Sequence, residues 1–283
     1  MELKPLSPTN DFVFRKLFSS NRLVLKDFLM AVLDLPAEEY KDLAVIDPNL
    51  DREFIEDKLG VLDVKVTTTS GKVLNIEVQI KPQRSIWKRM MFYTSKMVVE
   101  QVKSGYQYDQ INRVISILIA DFVMVKENDA YHNRFRLYDE NTKAHFPDSI
   151  EINVLELPKR QKADGTPLGN WMRFLSAKTE EEFMAISQTN PAINEAWGFI
   201  KVLSGDEQTR AMAEAREKAR MDMDSWLGDA RYEGRQEGRQ EGRQEGIFEV
   251  AHNLLRKKMP YEDVADATGL SLEEVKKLAA DIS

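Results

Sequence analysis

Apolar and polar positions alternate most regularly between Lys58 and Pro82. In KLGVLDVKV, Val61, Asp63 and Lys65 alternate with Leu62, Val64 and Val66; in KVLNIEVQI, Val73, Asn75, Glu77 and Gln79 alternate with Leu74, Ile76, Val78 and Ile80. A period of two is the signature of a strand whose two faces meet different surroundings. Ser70-Gly71 lies between the runs, and Gly71 suits the left-handed position that closes a loop of about three residues. With Thr69-Ser70-Gly71 as that loop, the ladder sets Asp63 opposite Glu77 and Val61 opposite Gln79. Opposed side chains lie roughly 4.5–5.5 Å apart at Cβ.

Helical periodicity flanks the hairpin. Pro8 and Asn10 precede DFVFRKLF, in which Phe12, Phe14, Leu17 and Phe18 share an apolar face, and a second helical run spans Asn21 to Leu33. Residues 36–57 are turn-rich and irregular. After Pro82 the spacing predicts a helix from Ser85 to Ser104, stopped by Gly105. RVISILIADFVMV, residues 113–125, is a near-continuous apolar run of the kind a strand buried on both faces requires. FRLYDENT and SIEINVLELPK predict further strands on either side of Phe146-Pro147-Asp148, and residues 170–203 return to helical spacing.

From Arg210 the chain becomes strongly charged, and EGRQ repeats through residues 233–246. A glycine every fourth residue costs a helix roughly 1 kcal/mol each relative to alanine, while Glu and Arg alternate in a way that allows i,i+4 neighbours. Two readings stand: a flexible charged linker, or a long helix with its glycines on one face against a partner. The last segment predicts three short helices separated at Met259-Pro260 and at Gly269-Leu270-Ser271, with Ser-Leu-Glu-Glu from Ser271 as a capping box. Its final helix is too acidic to favour phosphate contact, so protein contact is the expectation. The expected domains are 1–209, 210–246 (linker or helix) and 247–283, a small tail for oligomerisation.

Composition narrows the chemistry. The 283 residues contain no cysteine, which excludes disulfides, thiolate metal sites and cysteine nucleophiles. The three histidines, His132, His145 and His252, have no zinc-site spacing. MELKPLSPTNDF carries no apolar signal stretch, and no apolar run reaches the ~18 residues of a membrane span. A cytoplasmic protein is expected. The net charge of −7 counts against a general nucleic-acid coat, yet clustered carboxylates at a metal site also lower the average.

Asp63, Glu77 and Gln79 fall on one face of the expected hairpin, beside an apolar strand. Acids there need a reason, and a divalent cation is a good one. Magnesium takes hard oxygen ligands and keeps several waters, so one or two carboxylates suffice. Gln79 can orient water and donate to a phosphate oxygen without carrying charge; Lys65, Lys81 or Lys58 would then supply the cation. The competing reading is an ordinary wet strand face.

Taken together, NDFVFRKLF at 10–18, DKLGVLDVKV at 57–66, NIEVQI at 75–80, WKRMMFYTSKMVVEQVKSGYQY at 87–108 and RVISILI at 113–119 resemble the recombination-promoting nuclease (Rpn) family, the PD-(D/E)XK nuclease family transposases. The resemblance covers most of the chain. It implies an α/β fold, the αβββαβ restriction-endonuclease-like core with flanking helices, followed by a helical extension. It further implies a Mg²⁺-dependent DNA endonuclease, with Mn²⁺ as substitute, that cuts double-stranded DNA in recombination, transposition or phage defence. Asp63 and Glu77 would ligate metal with the Val78 carbonyl, and Gln79 would fill the third active-site position, where the superfamily carries Lys. Asp57, Lys58 and Asp11 match supporting positions, Asp11 serving either as an acidic contact or as the start of the first helix after Asn10. Arg84, Lys88 and Arg89 would grip phosphate or form a solvated basic turn. Tyr93 and Gln101 match family positions on the same helix, Tyr93 as packing. The tail would join copies of the chain. Met221 and Met223 precede the repeat, and the resemblance implies that a shorter C-terminal product can start inside the gene. A different class remains open: a catalytically weak nuclease-fold protein that binds DNA or protein as an assembly module.

Overall fold

The computed structural model describes residues 4–46, 64–102, 107–146, 150–163 and 165–280. Asp57, Lys58, Val61 and Asp63 lie outside them. Two compact units divide the chain, residues 1–217 and 218–283.

The first unit is built on a six-stranded mixed sheet in the order β1-β2-β3-β4-β6-β5. The strands are β1 (Ala44–Ile46), β2 (Val64–Thr67), β3 (Val73–Gln79), β4 (Val114–Ala120), β5 (His132–Arg136) and β6 (Ile150–Glu156). β1, β2 and β3 are antiparallel neighbours, β3, β4 and β6 run parallel, and β5 returns antiparallel on the far edge. The expected hairpin register holds where it is described, Val64 facing Ile76 and Thr67 facing Val73. Thr68 N bonds Lys72 O at 3.0 Å, which leaves Thr69-Ser70-Gly71 as the loop, with Gly71 at φ +87°.

α1 (Asp11–Ser20) starts at Asn10, whose side chain accepts from the backbone N–H of Phe12 and Val13. α2 (Arg22–Val32) is capped by Asn21. Their apolar stripes, Val13, Phe14, Leu17, Phe18 and Val24, Leu25, Phe28, Leu29, join one face of the sheet through Val64, Val66, Leu74, Ile76, Ile117 and Ile119. α4 (Pro167–Ser176), α5 (Glu180–Ser187) and α6 (Pro191–Gly205) close the same core around Trp171. α3 (Ile86–Val99) covers the opposite face: Ile86 and Met90 pack on Leu118 and Val154, and Met97 packs on Val73 and Val114. The chain order helices, β1-β2-β3, α3, β4 is the expected αβββαβ core.

Several expectations shift. α3 stops at Val99, short of Ser104. Gln101 lies beyond its end and bonds the backbone of Asn112 through both its Oε1 and its Nε2, pinning the lead into β4. The segment read as irregular contains β1 and a helical turn at Ala37–Tyr40. β5 begins at His132, and only the Tyr138–His145 bridge continues beyond it towards Thr142.

The EGRQ repeat lies within α7 (Glu207–Arg256), a helix of 50 residues. The expected support between Glu and Arg does not arise. At about 100° per residue, a four-residue repeat sets Glu233, Glu237 and Glu241 at i,i+4 from one another, and likewise Arg235, Arg239 and Arg243. These like-charge neighbours oppose the helix. α8 (Tyr261–Thr268) and α9 (Leu272–Ala280) follow, and Ala251, Val264 and Val275 form the core of the second unit. Ser271 and Glu274 exchange the bonds of the capping box. Among the described residues no helix is long and apolar enough to cross a membrane.

Candidate active site

β3 is buried on both faces, so its alternation separates two kinds of core rather than core from water. Leu74, Ile76 and Val78 point into the large apolar core. Asn75, Glu77 and Gln79 take the other face, beneath α3. Next to them in the parallel ladder are Ser116, Leu118 and Ala120 of β4. A small pocket there is lined by Asn75, Glu77, Met90, Tyr93, Ser116 and Leu118. Ser116 of its lining shares a hydrogen bond of 2.7 Å with Thr94, and Asn75 Oδ1 is buried without a partner.

Glu77 is the buried acid of this face, 8% exposed. Gln79 Nε2 and Arg89 Nη2 both donate to its Oε1 at 2.8 Å, and Arg89 Nη1 donates to Gln83 Oε1 at 2.7 Å. Burial pushes the Glu77 carboxyl above the usual range, against the pull of the Arg89 charge and the bonds from Gln79 and Arg89. Glu77 and Gln79 are thus brought together as expected from their i,i+2 spacing on a strand.

The basic residues after the hairpin separate. Arg84 and Lys88 are exposed, whereas Arg89 is half-buried and directed at Glu77. Sequence spacing had grouped all three as one basic turn. The signal that distinguishes Arg89 is its helical offset, next to Met90 on the sheet-facing side of α3. Of the cations expected to assist Gln79, Lys65 is bonded to Glu100 at 2.6 Å, Lys81 lies just past β3 at the surface, and Lys58 is outside the described residues. Asp11 is the first residue of α1 and receives a bond of 2.6 Å from Arg216. Tyr93 lines the pocket. His132 bonds Asn153 at 2.8 Å, a structural contact.

A hard divalent cation suits the donors of this face in kind. Glu77 offers a carboxylate whose two bonds both fall on Oε1, and the Val78 carbonyl follows it. No group of three or more Asp, Glu or His side chains gathers among the described residues, so a carboxylate set depends on Asp63.

A mixed sheet with a hairpin leading through a helix into a buried parallel strand, and an acid-x-amide pair at the end of that hairpin, defines a PD-(D/E)XK-like nuclease fold. The family model described as PD-(D/E)XK nuclease family transposase matches residues 8–230, and the chain belongs to that family. Membership supports a nuclease-type function, with DNA as the implied substrate and divalent metals as the general cofactor of such nucleases. No curated protein and no solved structure gives a significant match.

Proposed function

We propose that the protein is a metal-dependent endonuclease that cuts double-stranded DNA and promotes recombination. The observation that carries this reading is Glu77: a buried carboxylate, on the pocket face of β3, held by Gln79 and Arg89 at 2.8 Å. Burying an ionised acid is costly unless it is paired and hydrogen-bonded; Arg89 and Gln79 supply those partners and hold the carboxylate at the pocket.

Asp63, Glu77 and the Val78 carbonyl would hold Mg²⁺, or Mn²⁺ in its place. When bound, the metal supplies charge neutralisation at the phosphate and lowers the pKa of a bound water. The chain's own groups do the rest. The Gln79 amide orients water, and its second-neighbour position to Glu77 keeps it at the reacting phosphate. α3 and the apolar side chains Met90 and Leu118 exclude bulk water below the site. Arg84 and Lys88, exposed at the start of α3, contact the DNA backbone and set its position. Asp57 and Lys58 would fix the entry to the first hairpin strand or help hold the site.

The register of β2 and β3 supports the placing of Asp63. Val64, the first described residue of β2, faces Ile76, the residue before Glu77. The test is cleavage of supercoiled plasmid with Mg²⁺ or Mn²⁺ by wild type, Asp63→Ala and Glu77→Gln. Nicking or linearisation that both variants lose supports the assignment; equal cutting by Asp63→Ala removes it.

A second reading, a catalytically weak assembly module, draws on the uncharged Gln79 and on a Glu77 already paired with Arg89. Mn²⁺ titration separates the two, because a working site binds the ion and loses it in Glu77→Ala.

We also propose that residues 210–283 join copies of the chain, and that a shorter C-terminal product of the same gene would associate through them. The exposed like-charge rows of the EGRQ repeat, Glu233, Glu237 and Glu241 beside Arg235, Arg239 and Arg243, support this. Truncation at Arg210 should lower the number of chains per particle read from the mass in solution, and an unchanged oligomeric state counts against the proposal. The cysteine-free composition suits a cytoplasmic setting.

A further inference from the structure

We infer that Arg89 is the cation of the active site, exchanging Glu77 for the scissile phosphate when substrate binds; this rests on the nuclease reading above. In the hydrolysis, a water oxygen forms a bond to phosphorus and the P–O bond to the leaving oxygen breaks. A proton given up by the water is matched by one taken up at the leaving oxygen. Negative charge grows on the phosphate oxygens during this exchange, and fixed positive charge in a water-poor site stabilises it most.

The described residues offer few sources of such charge beside Glu77. Gln79 is neutral. Lys65 is bound to Glu100 at 2.6 Å and Lys72 to Glu39 at 2.5 Å. Arg89 is already in place, 2.8 Å from Glu77 Oε1, with its side chain 20% exposed. Its geometry suits a change of partner. Ile86 and Met90, both buried, fix the helix backbone on either side of it. Nη1 is anchored on Gln83 Oε1 at 2.7 Å while Nη2 holds Glu77. A planar guanidinium can therefore keep one edge on Gln83 and turn the other to an incoming phosphate. Before substrate arrives, the same group neutralises the buried carboxylate. With Glu77 held to a divalent cation, the guanidinium would lack its anion, and the incoming phosphate would supply one.

The test uses the full chain with Arg89→Met, Arg89→Lys and the double variant Arg89→Met with Gln79→Lys. Three quantities are read: single-turnover cleavage of plasmid DNA, Mn²⁺ affinity by electron paramagnetic resonance, and thermal unfolding. Arg89→Met should slow cleavage about 100- to 1000-fold, the usual loss for one charge-stabilising donor. Its Mn²⁺ affinity should hold or tighten, because the competing cation on Glu77 is gone. Gln79→Lys in the same background should recover at least about tenfold of the rate by returning a charge beside Glu77. A residue that only builds the site would lose rate and Mn²⁺ affinity together, and that result overturns the inference. So does cleavage by Arg89→Met within about threefold of wild type. If Arg89→Met fails to fold, Arg89→Lys decides: a folded Lys variant keeps the charge but not the two-edged fork, so it should cut more slowly than wild type while its Mn²⁺ affinity holds, and a joint loss of rate and affinity counts against the inference. A wild type that cuts no DNA removes the nuclease reading and this inference with it. A wild type that cuts, beside an equally active Arg89→Met, removes the inference alone.

Discussion

Lys72 Nζ lies 2.5 Å from Glu39 Oε1, joining the loop between β2 and β3 to the helical turn that leads into β1. Thr68 and Ser70 donate to the other oxygen of the same carboxylate at 2.6 and 2.8 Å. Burial alone would raise the pKa of Glu39, but the bonds from Lys72, Thr68 and Ser70 outweigh it and hold the group at about 2, against an ordinary 4.5. A folded-state pKa below the unfolded one contributes stability that is fully present above about pH 4.5 and is lost as the pH falls towards 2. Urea unfolding of wild type should therefore weaken across that window. Glu39→Gln should be less stable by about 1–3 kcal/mol at neutral pH and should show a shallower decline in acid. An unchanged acid slope would mean that the loop is not held by this charge.

A second polar tie lies beside the main core. Trp171 Nε1 and Asn190 Nδ2 both donate to Asp27 Oδ1, at 2.7 and 2.8 Å, so one carboxylate on α2 fastens α4 and the start of α6. Asp27→Ala leaves both donors unsatisfied. It should cost about 2–4 kcal/mol, more than Trp171→Phe would through loss of its N–H bond alone. Denaturant midpoints give the order, and metal binding at the distant Glu77 face should be unchanged in Asp27→Ala.

Much of this architecture is legible in the alternation of the chain. The β2–β3 register follows from the Ser70-Gly71 loop and the shared period of two, and β4 from a run that is apolar at nearly every position. What escaped has physical causes. β1 is three residues long with an exposed pattern, too short to show a period. Gly105 was read as a stop for α3, but the helix ends earlier, where Glu100 caps it and Gln101 turns to Asn112. In α7, composition hid the arithmetic: alternating Glu and Arg look complementary in the sequence, yet a period of four sets like beside like on a helix. At the site, Glu77 and Gln79 follow from strand parity, whereas Arg89 is marked only by its helical offset, three residues after Ile86 and beside Met90, and its contact with Glu77 needs the packing of α3 on the sheet as well. Asp63, the other acid on which the reading depends, lies outside the described residues.

The glycines of α4 and α7 should respond to one substitution with opposite signs. A Cβ on Gly169 would stand 1.9 Å from the Ala163 carbonyl oxygen, and nothing in a packed backbone contact can yield that far. Gly169→Ala should therefore destabilise the first unit by at least about 1–3 kcal/mol. Gly234, Gly238 and Gly242 meet no atom within 4 Å of an added Cβ. Alanine at each should stabilise α7 by up to about 1 kcal/mol, read as helical signal retained at higher temperature. If the glycines instead hold two chains close, the same alanines lower the mass in solution while raising helix content, which separates helix stability from association.

Metal binding should also be visible without any cleavage. A cation that binds the folded chain alone raises its stability by about 2.7 kcal/mol at 100 times its dissociation constant. Thermal unfolding of wild type should move upward with Mn²⁺ concentration, and chelation should reverse the shift. Glu77→Gln keeps the shape of the side chain and removes the carboxylate, so its melting temperature should no longer follow Mn²⁺. The burial that favours the neutral form of Glu77 also means that the ion displaces a proton more often here than at an exposed carboxylate. The wild-type shift should therefore shrink as the pH is lowered, from a higher pH than an exposed carboxylate would show. A Glu77→Gln variant that melts with the same Mn²⁺ dependence as wild type would place the ion elsewhere.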